Sequence, residues 1–128
     1  MDPLFLTLDE ILSLHEEQIR LFGGSHGVRD TGLIESAIGS AAATFGGEFL
    51  HASLFEMAAA YLYGICKNHP FVDGNKRTAA ATALVFLDMN GVAIDAAEEP
   101  FYDLVIGVAE GRVSKAEVAV FLQENARG

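Results

Sequence analysis

The ten residues from His69 to Thr78, "HPFVDGNKRT", interrupt a chain that is apolar and helix-like on either side. Pro70 decides the local fold. A residue before proline is pushed out of the helical region, so the helix arriving from upstream stops with His69 just beyond its end. Asp73-Gly74 is turn chemistry, and a new helix starts near Asn75. The stretch is thus a short loop leading into a helix N-terminus, where unpaired N–H groups and the positive end of the dipole meet. Such a terminus is a ready phosphate site. Gly74 lets a ligand approach the backbone closely. Lys76 and Arg77 add charge, and an arginine grips phosphate oxygens in a fork. Asp73 can hold Mg²⁺, which binds through one or two carboxylates plus substrate phosphates. A histidine such as His69 can take a proton near neutral pH.

Together these are the parts for phosphoryl or nucleotidyl transfer: an anion cradle, a metal ligand and a base. Each residue also has a plainer reading. His69 can cap the preceding helix, Asp73 can simply form the turn, and Lys76 and Arg77 can be a solvated first turn. Their joint spacing favours the site. The stretch is not a Walker A loop, which needs Gly-Lys-Ser/Thr where this chain has Asn75-Lys76-Arg77.

Working outward, the other segments also read as helices. Thr7-Leu8-Asp9-Glu10 has capping-box spacing and opens a helix that ends near Phe22, before Gly23-Gly24. Asp30 caps a second helix over about 31–43. The segment 44–50, "TFGGEFL", reads as a small hairpin or flap. A third helix covers about 52–68, with Leu54, Ala58, Tyr61 or Leu62, and Ile65 on one face. The fourth, about 75–89, is apolar on all sides over 79–87, which marks it as the buried centre; Asn90-Gly91 stops it. A fifth covers roughly 97–110. Ser114-Lys115-Ala116-Glu117 is a second capping box, opening a last helix with Val118, Phe121 and Leu122 inward. The sum is an all-α domain, residues 1–128, with one flap.

Composition narrows the function classes. The chain has 128 residues, 51% of them apolar, which supports one globular core. The N-terminus carries Asp2 and Asp9 and no basic region, so it is a poor signal peptide. The run 79–87 is far below the roughly 20 apolar residues of a membrane span. A soluble, cytoplasmic protein without membrane contact is expected. A net charge of −10 opposes direct nucleic-acid binding. Against that background Lys67, Lys76 and Arg77 form a local positive focus. Cys66, the single cysteine, lies in an apolar segment and reads as a small buried hydrophobe.

The stretch resembles the signature of the Fic/Doc family, His-Pro-Phe-x-Asp/Glu-Gly-Asn-Gly-Arg-x-x-Arg in its Fic branch. His69, Pro70, Phe71, Asp73, Gly74, Asn75 and Arg77 match. Lys76 stands in place of the second glycine and Ala80 in place of the second arginine, as in the Doc (death-on-curing) branch. Residues 22–37, 44–63 and 83–91 are also similar to Doc proteins, so the resemblance covers nearly the whole chain. It implies a compact Fic-type helical domain of about six helices with a short flap hairpin. It further implies a toxin of a type II toxin–antitoxin module that acts as an ATP-dependent, Mg²⁺-dependent protein kinase on a threonine of EF-Tu and so blocks translation. By the same resemblance His69 is the catalytic base, Asp73 the metal ligand, and Gly74, Asn75, Lys76 and Arg77 the phosphate-binding residues. Phe45, Gly46, Gly47 and Glu48 are the flap that positions the target, and a Phd-like antitoxin is the partner. The two departures from the Fic branch alter how a triphosphate would lie. That the γ-phosphate is the one transferred is implied by the resemblance alone.

Two other readings stand beside this one: an AMP transferase acting on a protein hydroxyl, and a non-catalytic module that keeps the fold. The reactive residues are all present, against the latter. Arg29, in the loop "GGSHGVRD", can reach substrate or lock the loop. His26 is read as exposed, and Glu17 with Arg20 as a solvated face. His15 and His51 have no partner set for a metal, and residues 88–91 are a helix end rather than a calcium loop.

Overall fold

The computed structural model describes residues 2–127. Six helices carry the architecture, and strands enter only as two short antiparallel pairs. Helix α1 (Leu8–Phe22) opens on the reciprocal box between Thr7 and Glu10 and closes at Gly23, whose φ of 83° suits glycine. Helix α2 (Thr31–Ala41) starts where the Asp30 carboxylate accepts from the Gly32 N–H. Strands β1 (Thr44–Phe45) and β2 (Glu48–Phe49) form the hairpin, turning through Gly46-Gly47, both at positive φ as a two-residue turn requires. Helix α3 (Leu54–Asn68) follows, then the loop, then α4 (Asn75–Met89). Strand β3 (Ala93–Ile94), α5 (Glu98–Ala109), α6 (Lys115–Glu124) and β4 (Ala126–Arg127) complete the chain.

The expected helices are present with shifted ends. α2 stops at Ala41 rather than 43. α3 begins at Leu54 rather than 52, because Ser53 and Glu56 form a third capping box. The pairing of β3 with β4 was not expected. It joins residues more than thirty positions apart through a two-residue ladder, too short to leave an alternating pattern.

The centre of the fold is α3, not α4. Every residue from Met57 to Leu62 is buried, together with Ile65 and Cys66, and α3 packs on α2, α4, α5 and α6. Its small residues allow this. A Cβ on Gly64 would lie 3.0 Å from the Ala37 Cβ, so α2 and α3 approach almost backbone to backbone. α4 buries Thr78, Ala79, Thr82, Ala83, Phe86 and Leu87 but leaves Ala80, Ala81, Leu84 and Val85 only half-covered. Its apolar run therefore lines a groove as well as the core. Cys66 is fully buried, its Sγ 3.6 Å from the Val105 carbonyl, and burial pushes the thiol up, the state of an inert side chain. No described helix is long and apolar enough to cross a membrane.

The N-terminal segment is tied to this core by Tyr61. Its fully buried hydroxyl accepts from the Leu6 N–H at 3.1 Å, and burial pushes the phenol up to about 12. Tyr61→Phe would leave the buried Leu6 N–H without a partner. A loss of about 1–3 kcal/mol is expected. Urea unfolding should give a lower midpoint with an unchanged slope; an unchanged midpoint would show that the bond contributes nothing.

Candidate functional site

The loop between α3 and α4 is built by three clamps. The first is Arg29, whose Nε and Nη2 donate to the carbonyls of His69 (2.7 Å) and Asn68 (2.6 Å). These are end-of-helix acceptors on α3, and a cation there also faces the negative end of the dipole. Of the two readings of Arg29, the locking one matches its contacts. The second clamp is the strand-like contact of segment 23–30 with the loop. The N–H groups of Arg29 and Asp30 both donate to the Pro70 carbonyl, Val72 N–H donates to Gly27, and Val28 bridges to Phe71. The third is Asn75. Its Oδ1 accepts from the Phe71 N–H and its Nδ2 donates to the Phe71 carbonyl, each at 3.0 Å. The Asn75 side chain is thereby committed to the loop, and what it offers a ligand is backbone.

His69 caps α3 at φ 50°, ψ 60°. It is the one non-glycine residue at positive φ among the described residues. Histidine visits this region more readily than most residues, yet a following proline makes it costly. Strain of this kind persists where surrounding bonds over-determine it, and here the Arg29 and Pro70 bonds do so. The His69 side chain is exposed.

Asp73 sits at the turn with both carboxylate oxygens engaged. Oδ2 accepts from the Ser25 N–H at 3.1 Å and Oδ1 from the Gly74 N–H at 2.8 Å. These two bonds, Ser25 first, hold the carboxyl below its ordinary range, with His15 and then Lys76 adding smaller effects. It therefore stays ionised. One exposed carboxylate fits the limited protein ligation that Mg²⁺ takes beside phosphates. Among the described residues no group of three or more metal-binding side chains exists. Gly24 makes room for the carboxylate: a Cβ there, at φ 115°, would fall 2.7 Å from Oδ2.

Gly74 is the N-cap of α4, at φ 76°, and no side chain caps that helix. The first-turn N–H groups open on a cleft of ≈150 Å³ lined by Gln18, Ile19, Gly23, Tyr102 and residues 73–77. Gln18, Lys76, Arg77 and Tyr102 also line a neighbouring groove of ≈380 Å³, where Phe22, Ala80, Leu84 and Phe101 supply apolar wall. The Arg77 guanidinium lies 4.4 Å over the Phe22 ring. Neither Lys76 nor Arg77 is ion-paired among the described residues. The arrangement can hold an anion beside a carboxylate, with an exposed imidazole at the far end of the same loop.

The structure brings His69, Asp73, Gly74, Asn75, Lys76 and Arg77 onto one loop and one helix turn. It does not bring the hairpin there. Phe45, Gly46, Gly47 and Glu48 stand beside the start of α3, whereas the loop follows its end, about 22 Å away along fifteen helical residues. The segment that flanks the loop is 23–30. Sequence reasoning also missed His15. It lies at 1% exposure beneath the loop, its ring stacked on Phe71 at 3.9 Å and 5°, its Nε2 2.8 Å from the Asp73 carbonyl. A signal was available: His15 falls midway between Ile11 and Ile19 at four-residue spacing, on the buried face of α1. The contributions of Ser25 and Gly24 come from backbone and left no signal. His26 is exposed and meets Glu16, and Arg20 meets Glu17 at the surface.

A model of the Fic/DOC family matches residues 5–87, a span that ends before α5 and α6. The chain is 40% identical over 114 residues to a protein named "Protein kinase doc" from Escherichia phage P1, covering 89% of each. It is 47% identical over 75 residues to "Toxin Doc" of Mycolicibacterium smegmatis, covering 59% of this chain and 58% of that one.

The Asp73 bonds carry a pH consequence. A carboxyl whose folded value lies below its ordinary 3.8 contributes stability above that value and loses it as the pH falls further. Asp73→Asn is expected to flatten the acid-side fall of the melting temperature below about pH 4. Equal slopes in the two proteins would mean that the bonds to Ser25 and Gly74 do not favour the anion.

Proposed function

This chain belongs to the Fic/DOC family, and from that membership we propose that it is a Doc-type toxin, a protein kinase that moves the γ-phosphate of ATP onto a threonine of EF-Tu and blocks translation in the cytoplasm. On this reading residues 1–128 are one Fic/Doc domain whose partner is a Phd-like antitoxin. The observation that carries the enzymatic part is the uncapped N-terminus of α4, open to a cleft that also holds the ionised Asp73 and the unpaired Lys76 and Arg77.

Each residue then has a task. The N–H groups of Asn75, Lys76 and Arg77, with the two cationic side chains, hold the phosphates. Asp73 is the protein's ligand for Mg²⁺, which neutralises charge on the phosphate oxygens. The apolar groove beside Phe22, Phe101 and Tyr102 takes the base. His69 accepts the proton of the threonine hydroxyl as the Oγ–phosphorus bond forms and the bond to the β-phosphate oxygen breaks, so that ADP leaves. The target lies along segment 23–28, the border of the loop, and the 44–50 hairpin has no part in the transfer.

Incubation with EF-Tu and ATP labelled at the γ- or the α-phosphate tests the reading. Label from the γ position alone is expected, and His69→Ala should lower transfer roughly a hundred- to ten-thousand-fold. Transfer of α-label would make the chain an AMP transferase instead. Undiminished toxicity of His69→Ala would favour a binding module. Ala80 and Lys76 both line the groove. The double change Lys76→Gly with Ala80→Arg is therefore expected to raise the ratio of α- to γ-label transferred, and an unaltered ratio would remove these positions from the choice of phosphorus.

A further inference from the structure

His15 is buried, aromatic and polar, and the reaction outlined above gives it no task. Its ring lies flat against Phe71, centroids 3.9 Å apart, and its Nε2 meets the Asp73 carbonyl at 2.8 Å. A carbonyl oxygen can only accept, so Nε2 carries the hydrogen. The bond is sited at a peptide that matters. All peptide bonds of the described residues are trans, and in a trans peptide the C=O and the following N–H point in opposite directions. Pinning the Asp73 carbonyl inward on His15 therefore turns the Gly74 N–H outward. There it meets Asp73 Oδ1 at 2.8 Å, on the side of the cleft.

Among the described residues nothing else bonds the Asp73 carbonyl. Gly74 has no side chain, and its α-carbon rests on His15 and Ile19: an added Cβ would lie 3.0 Å from Ile19 Cδ1 and 3.7 Å from the His15 ring. At φ 76° glycine is free to flip this peptide plane with little penalty. A flip would break the bond to Asp73 Oδ1 and turn a carbonyl oxygen toward the carboxylate and an incoming phosphate.

We propose that His15 is a positioning residue for phosphoryl transfer, whose Nε2–H fixes the 73–74 peptide so that the Gly74 N–H holds the Asp73 carboxylate on the nucleotide's side of the loop. This rests on the reading of the loop as a nucleotide site. It differs from a packing role, which any flat ring stacked on Phe71 would fill. His15→Phe keeps the stack and removes the donor. His15→Gln removes the stack but returns an N–H near the place of Nε2.

The test has three measurements, the first two of which compare wild type, His15→Phe and His15→Gln. Phosphate transfer from ATP·Mg²⁺ to EF-Tu is followed as kcat and as KM for ATP, below the unfolding temperature of each variant. His15→Phe should lose roughly tenfold or more, mainly in kcat, and His15→Gln should regain most of it although its packing is poorer. A packing role predicts the reverse order, and a phenylalanine variant within about twofold of wild type overturns the proposal. The second measurement is the Gly74 amide signal in ¹⁵N–¹H spectra without nucleotide, expected to shift in His15→Phe and to return in His15→Gln. The third uses wild type alone: ¹⁵N-labelled histidine should show the hydrogen on Nε2 of His15, and a bare Nε2 overturns the proposal even if a variant fails to fold. Absence of transfer by wild type sinks the kinase reading. The two spectroscopic results then still decide the role of His15 in setting the peptide.

Discussion

One buried ring, Phe71, holds the site together. It is 1% exposed. Its face stacks on His15 of α1, its N–H and carbonyl are both taken by Asn75 of α4, and its backbone bridges to Val28 of segment 23–30. A loop joining two helices is ordinarily free to move. This one is fastened because an aromatic side chain in its middle leaves water by joining the core and stacking on His15 of α1. Once Phe71 is seated, Pro70 lies where Arg29 and Asp30 can reach its carbonyl, and Asp73 lies over His15. The charged residues of the loop owe their placing to an apolar one.

The distribution of charge makes sense from the same point. The chain has eight Lys and Arg residues and a net charge of −10. Arg20, Arg112 and Arg127 are set against surface carboxylates, and Arg29 is spent on helix-end carbonyls. Among the described residues Lys67, Lys76, Arg77 and Lys115 have no such partner, and of these Lys76 and Arg77 border the cleft. Exposed pairs contribute little to stability, on the order of 0–1 kcal/mol, but they do cancel charge. Two of the four uncancelled cations thus stand side by side where an anion would enter an otherwise acidic protein.

Much of this was legible in the sequence because it depends on neighbours in the chain. Caps at Thr7, Asp30 and Ser114, the stop at Pro70 and the opening of α4 at Asn75 are local chemistry, and they fix the helices and the loop. Burial was read less well. The run 79–87 suggested that α4 is central, but the alanines of α3 let four helices crowd around it, and small residues carry a weak hydrophobic signal. The site's second layer was hidden for a different reason. Ser25 and Gly24 act through backbone, and His15 lies 58 positions from its partner, so only the folded chain joins them. The hairpin shows the opposite error. Its turn was recognised correctly, and its distance from the loop followed only once the fifteen residues of α3 were seen to lie between them.

The conformation of His69 bears on how such a protein can change over generations. A histidine at positive φ before a proline is held against its backbone preference, at a cost on the order of 1–3 kcal/mol. Glycine would carry no such cost. On the proposed reading of His69 as the base, its replacement by glycine would remove the imidazole and relieve strain together, so stability would reward a change that activity penalises. On that reading a descendant with glycine here would be idle yet no less stable than its ancestor, and the histidine, rather than the integrity of the fold, would tell the two apart.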